Sequence, residues 1–217
     1  MISPERFRKI RYMLLHRQPD LTVIMDNVNK AHNLSAIIRS CDGVGINEIH
    51  AVSYRKYIHT EQNAAAGASK WLTMNLYTDL PTAYRKVSES GMQILVATGK
   101  EGAMDFRKID YTIPTALVVG AEWDGISEEA IKGADHAITV PMLGMVESLN
   151  VSVATAVILF EAQRQRTEKG MYNNPLLDPK SFERMLFEYT YPRLSRELQE
   201  KGCPYPQLDT EGGICPP

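Results

Sequence analysis

Apolar residues along this chain recur with two alternating periods, and the alternation predicts the order of its elements. Phe7, Ile10 and Leu14 lie at helical spacing behind Ser3-Pro4, so residues 3–17 read as a helix that starts on a capping serine and a first-turn proline. Gln18-Pro19-Asp20 ends it, and Leu21–Met25 is a short β-branched run of the kind found in buried strands. Similar runs at Glu48–Val52, Thr73–Leu76, Gln93–Ala97, Thr115–Val119 and Ala137–Val140 predict further strands. Helical patterns fall between them, from Asn33 to about Cys41 and from Leu80 to Ser90, with a short alanine-rich one near Asn63–Ser69. The run from Val151 to Leu159 is apolar nearly all round and is expected to be buried, before Glu161–Arg166 turns polar. Strands alternating with helices predict an α/β domain, with a mostly parallel sheet covered on both faces.

Beyond Gly170 the pattern loosens. Ser181–Tyr189 and Leu194–Lys201 read as helices, and the Pro/Gly-rich end from Pro204 to Pro217 as extended chain. The expected organisation is an α/β domain at 21–170, with helical extensions at 1–20 and 171–217. At 217 residues the chain can bury a sizeable core.

Composition is that of an ordinary globular domain, with 44% hydrophobic and 23% charged residues. No apolar run approaches the roughly 20 residues of a membrane helix, and Met1–Lys9 carries charge without an apolar signal core. A cytoplasmic protein with no membrane association is expected. Cys41, Cys203 and Cys215 have neither metal spacing nor a disulfide framework, His32, His59 and His136 are scattered, and no metal is expected. The net charge of −2 does not advertise nucleic acid, but the charges are clustered. Arg6, Arg8, Lys9, Arg11 and Arg17 crowd the first 20 residues, and Arg164, Arg166 and Lys169 end the long helix. Such clusters are either solvated helix faces or phosphate-binding ones.

Several catalytic devices are missing. Gly43-Val-Gly45 lacks a third glycine and precedes a strand, so it is no dinucleotide fingerprint, and neither a phosphate loop nor a nucleophile elbow surrounds Ser148. Three segments remain. In Asn33-Leu-Ser-Ala-Ile-Ile-Arg39, Asn33 fits a helix cap and Arg39 falls in the second turn; an arginine there is either solvated or placed for an anion. Gly120 and Glu122 follow the strand at 115–119, at the edge where open α/β sheets bind ligands, and glycine there lets a backbone come close to a cofactor. In Val140-Pro-Met-Leu-Gly-Met-Val-Glu-Ser-Leu-Asn150, Ser148 and Asn150 can cap the following helix, while the loop can give apolar and backbone contacts to a ring.

Together these segments resemble the motifs of the SPOUT methyltransferases. Gln18-Pro-Asp-Leu-Thr22, His32–Arg39, Phe160–Arg166 and Pro204-Tyr-Pro206 are similar to the TrmH type, over nearly the whole chain. The resemblance implies S-adenosyl-L-methionine as methyl donor and the ribose 2′-hydroxyl of guanosine 18 in the tRNA D-loop as acceptor. It also implies a deep trefoil knot toward the C-terminal side of the domain, which connection rules alone would exclude, and a homodimer with the active site at its interface. Carried over by position, the methyl-transfer residues are Asn33, Arg39, Glu122, Ser148 and Asn150. Cofactor contacts fall on Ala97, Thr98, Gly120, Val140, Met142, Gly144 and Leu149, and tRNA contacts on Arg6, Lys9, Arg17, His32, Arg164 and Arg166. Another tRNA or ribosomal RNA nucleotide is the nearest alternative target, although only about twenty residues precede the first strand, too few for the separate RNA-binding domain of many ribosomal enzymes. A non-catalytic RNA-binding protein is the alternative of a different class.

Overall fold

The computed structural model describes residues 2–53, 68–121 and 125–215. They divide into two units, one of 19–170 and one of 1–18 with 171–217.

The larger unit is built on seven strands: β1 (Leu21–Asp26), β2 (Glu48–Val52), β3 (Thr73–Tyr77), β4 (Gln93–Ala97), β5 (Met104–Asp105), β6 (Thr115–Val119) and β7 (His136–Thr139). Their order is β3-β2-β1-β6-β4-β7-β5, and every pair is parallel. Because side chains alternate along a strand, β1 feeds two cores. Leu21, Val23 and Met25 pack with Leu34, Ile37 and Ile38 of α2 (Ala31–Gly43) and with Ile158 and Leu159 of α5 (Val151–Glu168). Ile24 packs on the other face with Leu80, Ala83 and Val87 of α3 (Leu80–Glu89) and Ala130 of α4 (Glu128–Lys132). Each such leucine or isoleucine contributes about 1.5–3 kcal/mol when fully buried. Asn27 turns the chain out of β1 at φ 55°, a left-handed conformation that asparagine tolerates.

Three expectations are corrected. The second helix begins at Ala31 with Lys30 at its cap, so Asn33 sits inside the first turn and Arg39 in the third. The first half of α5 is not wholly buried: Val153, Val157 and Phe160 stand at helical spacing on an exposed face. The alanine-rich run at 63–69 lies almost entirely outside the described residues; Ala68–Lys70 forms a single 3-10 turn.

In the smaller unit, α1 (Pro4–Leu15) is capped by Ser3, whose Oγ accepts from the Arg6 N–H, and it buries Phe7, Ile10 and Leu14. α6 (Pro179–Thr190) starts on Asp178, and α7 (Pro192–Glu200) follows directly. Phe187 stacks on Tyr205, and the Tyr191 hydroxyl donates to the Gly212 carbonyl, which holds the tail against α6. Among the described residues no helix is long and apolar enough to cross a membrane.

Candidate active site

Parallel strands leave their carboxyl ends along one edge, and there the larger unit opens a cavity of about 400 Å³. Ala97-Thr98-Gly99 after β4, Gly120-Ala121 after β6 and Thr139-Val140 after β7 form its walls, and Ser148, Leu149 and Asn150 close it before α5. The Thr98 N–H donates to the Ile138 carbonyl at 2.9 Å, extending the ladder between β4 and β7 to the rim. Val119, Ile126, Ile138 and Ile158 supply apolar surface beside the hydroxyls of Thr98, Thr139 and Ser148. This mixture suits a ligand with a flat ring and a polar tail.

Asn150 joins two helices at this rim. Its Oδ1 accepts from the Ser152 N–H at 2.9 Å and from the Ser152 hydroxyl at 2.7 Å, which caps α5. Its Nδ2 donates to Oδ1 of Asn33 at 3.3 Å, linking the starts of α2 and α5 across 117 residues of sequence. Asn33 is buried and bonded to Asn150, and it does not cap α2. Ser148 lines the cavity and is exposed, and the capping belongs to Asn150.

Gly120 is glycine for a reason that the sequence did not reveal. A Cβ there would collide with the Gly125 carbonyl group and come within 2.9 Å of the Ile126 Cα. The close approach is therefore to the protein's own backbone as it folds back along the cavity wall.

Among the proposed cofactor residues, Ala97, Thr98, Gly120, Val140 and Leu149 line the cavity. Met142 and Gly144 do not, because the loop swings outward between Pro141 and Val146, where Leu143 and Met145 are fully exposed. Arg39 is exposed on the third turn of α2 and does not line it either. Glu122 lies outside the described residues. Sequence reasoning missed Lys30, Gly99, Ile126, Thr139 and Ala154 as lining residues. Thr139 ends a strand, and that position was the available signal.

The basic residues fall into three groups. Arg6 and Lys9 on α1 and His32 on α2 are exposed, as an RNA contact requires. Arg164 is exposed but lies between Glu161 and Glu168, at 2.7 and 2.6 Å, and its hydrogen bonds hold the Glu161 carboxyl below the usual range. Arg17 and Arg166 are fully buried, which corrects the expectation that they face RNA. Arg17 Nη2 meets the Met13 sulfur at 3.2 Å. Arg166 donates to the carboxylate of Asp20 and the carbonyls of Tyr111 and Ile113, the arrangement of a structural guanidinium. Among the described residues no group of three or more His, Cys, Asp and Glu is placed to hold a metal ion.

Known proteins share both sequence and architecture with this chain. The SpoU rRNA Methylase family matches residues 20–160, and the family of the SpoU rRNA methylase C-terminal segment matches 164–217. The tRNA (guanosine(18)-2′-O)-methyltransferase of Escherichia coli strain K12 is 46% identical over 98% of this chain and 94% of its own length. The A. aeolicus TrmH/SpoU tRNA modifying enzyme superposes with a TM-score of 0.82, is 39% identical and covers 87% of this chain and 96% of its own. The SpoU methyltransferase AviRb of Streptomyces viridochromogenes, solved with its cofactor AdoMet, reaches a TM-score of 0.63 at 28% identity over 70% of this chain and 62% of its own. A cavity at the carboxyl edge of a parallel sheet, bounded at one rim by Asn150, which is bonded to Asn33, sits within residues 20–160 of that match: the chain belongs to the SpoU methylase family.

Proposed function

We propose that this protein transfers a methyl group from S-adenosyl-L-methionine to the ribose 2′-hydroxyl of guanosine 18 in the D-loop of tRNA. The observation that carries the reading is the cavity that joins apolar walls to the Asn33–Asn150 pair at one rim. The tRNA target is supported by the relative named for that reaction, which matches this chain almost from end to end.

The cavity residues fit the donor, whose adenine would lie against the apolar wall and whose charged tail would meet the polar rim at Ser148 and Asn150. When bound, the donor supplies an electrophilic methyl group. The protein's task is to make a ribose hydroxyl nucleophilic, and we assign Arg39 to it. A guanidinium with a pKa above ~12 is a poor base. It is well suited to stabilise the oxyanion as the proton leaves, with a substrate phosphate taking the proton. Asn33, Glu122, Ser148 and Asn150 complete the methyl-transfer set, and no metal is part of the proposal.

Arg39 does not line the cavity of its own chain, and a second copy is the simplest way to bring it to one. The exposed apolar residues Leu143, Met145, Val146, Val153, Val157 and Phe160 support a homodimer, since such a face is costly to leave in water. We further propose that the domain at 21–170 carries a deep trefoil knot toward its C-terminal side, that the helical segment at 1–20 serves RNA binding, and that the enzyme works in the cytoplasm.

The test is methyl transfer from labelled S-adenosyl-L-methionine to an unmodified tRNA transcript. Label should enter the transcript, and substituting 2′-deoxyguanosine at position 18 should abolish it. Equal labelling of the two transcripts would refute the target.

A further inference from the structure

The buried stripe of α1 leaves an opposite face on which only Lys9 has so far been given a role. Arg8 and Lys9 lie four and three residues before Tyr12 on it, with His16 four residues after Tyr12 at the helix end. The His16 ring centroid is 4.1 Å from that of Tyr12 and 6.4 Å from that of Tyr172, with interplanar angles of 33° and 23°. His16 Nδ1–H donates to the Tyr12 carbonyl at 2.6 Å, which fixes the middle ring. The His16 ring therefore neighbours both tyrosines, and of the three Tyr12 is 65% exposed. The Tyr12 ring is held beside the histidine and still leaves most of its surface to solvent.

Cations lie near Tyr12 along the helix, Arg8 and Lys9 on its face and Arg11 on the flank. Arg8, Lys9 and Arg11 are exposed, and among the described residues no ion pair engages them, whereas Arg164 and Arg184 are both held by carboxylates. Glu5 is the single acid on the helix. We propose that this face is a stacking platform for an unpaired nucleotide of the tRNA, with its base on Tyr12 and its flanking phosphates on Arg8, Lys9 and Arg11. A polyanion explains the cations, and a flat base explains the ordered ring beside the exposed one. An acidic protein would need only the cations. The proposal rests on tRNA being the substrate and adds base stacking to the phosphate binding expected of α1.

The experiment is the anisotropy of labelled tRNA titrated with the full-length wild type and with Tyr12→Ala, Tyr12→Leu and Tyr12→Phe, at several salt concentrations. Stacking of one base predicts about a tenfold loss of affinity for Ala and Leu, and near-wild-type affinity for Phe. The dependence on salt should stay unchanged, while Arg8→Ala with Lys9→Ala should flatten its slope by about 0.7 to 0.9 for each phosphate that is no longer neutralised. Leu keeps the apolar bulk, so its weaker binding cannot be blamed on packing. Wild-type affinity in both Ala and Leu, or an equal loss in Phe, would overturn the platform. Methyl transfer by the wild type is scored separately: transfer with no Tyr12 effect removes the platform alone, and a Tyr12 effect without transfer removes the enzymatic reading alone.

Discussion

The Arg166 guanidinium reaches the Asp20 carboxylate at 2.5 Å, tying the last turn of α5 to the entrance of β1 across 146 residues. Arg166 is fully buried and also donates to the carbonyls of Asp20, Tyr111 and Ile113, so three chain segments meet on one side chain.

Replacing that side chain should therefore cost stability before it costs RNA affinity. Arg166→Ala removes the guanidinium from the Asp20 carboxylate and from the Tyr111 carbonyl, while the Asp20 and Ile113 carbonyls keep Thr115 as donor, and it should destabilise the larger unit by about 3 kcal/mol. Urea unfolding followed by circular dichroism measures it. Wild-type stability with weakened tRNA binding would return Arg166 to the RNA surface.

Arg39→Ala should behave in the opposite way. The side chain is exposed, so unfolding should stay within about 0.5 kcal/mol of wild type, whereas single-turnover methyl transfer should fall roughly a hundredfold or more. Near-normal transfer would remove Arg39 from the chemistry.

Gly120→Ala places a methyl group against the Gly125–Ile126 backbone and should displace the cavity wall. Calorimetric titration with S-adenosylhomocysteine should show an affinity at least about tenfold weaker than wild type, or no binding. Unaltered affinity would mean that this wall does not face the cofactor.

Asp26 gives a pH-dependent outcome. Burial raises its carboxyl pKa, the hydrogen bond from Ser127 opposes that, and Glu129 adds to it. A carboxyl whose folded pKa is raised favours folding while protonated, and that contribution is lost as pH rises through the folded pKa. Asp26→Asn, which can still accept from Ser127, should therefore gain stability over wild type on going from acid to neutral pH. Urea midpoints at pH 4 and pH 7 test this, and a gain confined to acid would contradict it.

The parts of this fold legible in the sequence are those that repeat. The continuous apolar run of β1, recurring in β4 and β6, marks strands buried on both faces, and the sheet follows from that recurrence, whereas the apolar run of α5 does not tell which of its residues stay exposed. β5 was missed because two residues carry no period, and α4 because a five-residue helix buries only Ala130. The start of α2 was misplaced because Lys30 makes no side-chain cap, while Asn33 looks like one. Arg166 was misread because nothing local distinguishes it from Arg164: one meets Asp20 from a distant strand, the other meets Glu161 and Glu168 on its own helix. The site was legible where strand ends, Gly120 and the cap residue Asn150 marked it, while the reason for glycine at 120 was not, because it answers to backbone five residues on.

The central claim is that the ribose of one tRNA nucleotide receives the methyl group. Its most direct test is nuclease digestion and mass spectrometry of a transcript after reaction with the purified enzyme and S-adenosyl-L-methionine. The account requires 2′-O-methylguanosine at position 18 and at no other position. A methyl group on a base, or on the ribose of another nucleotide, would contradict it.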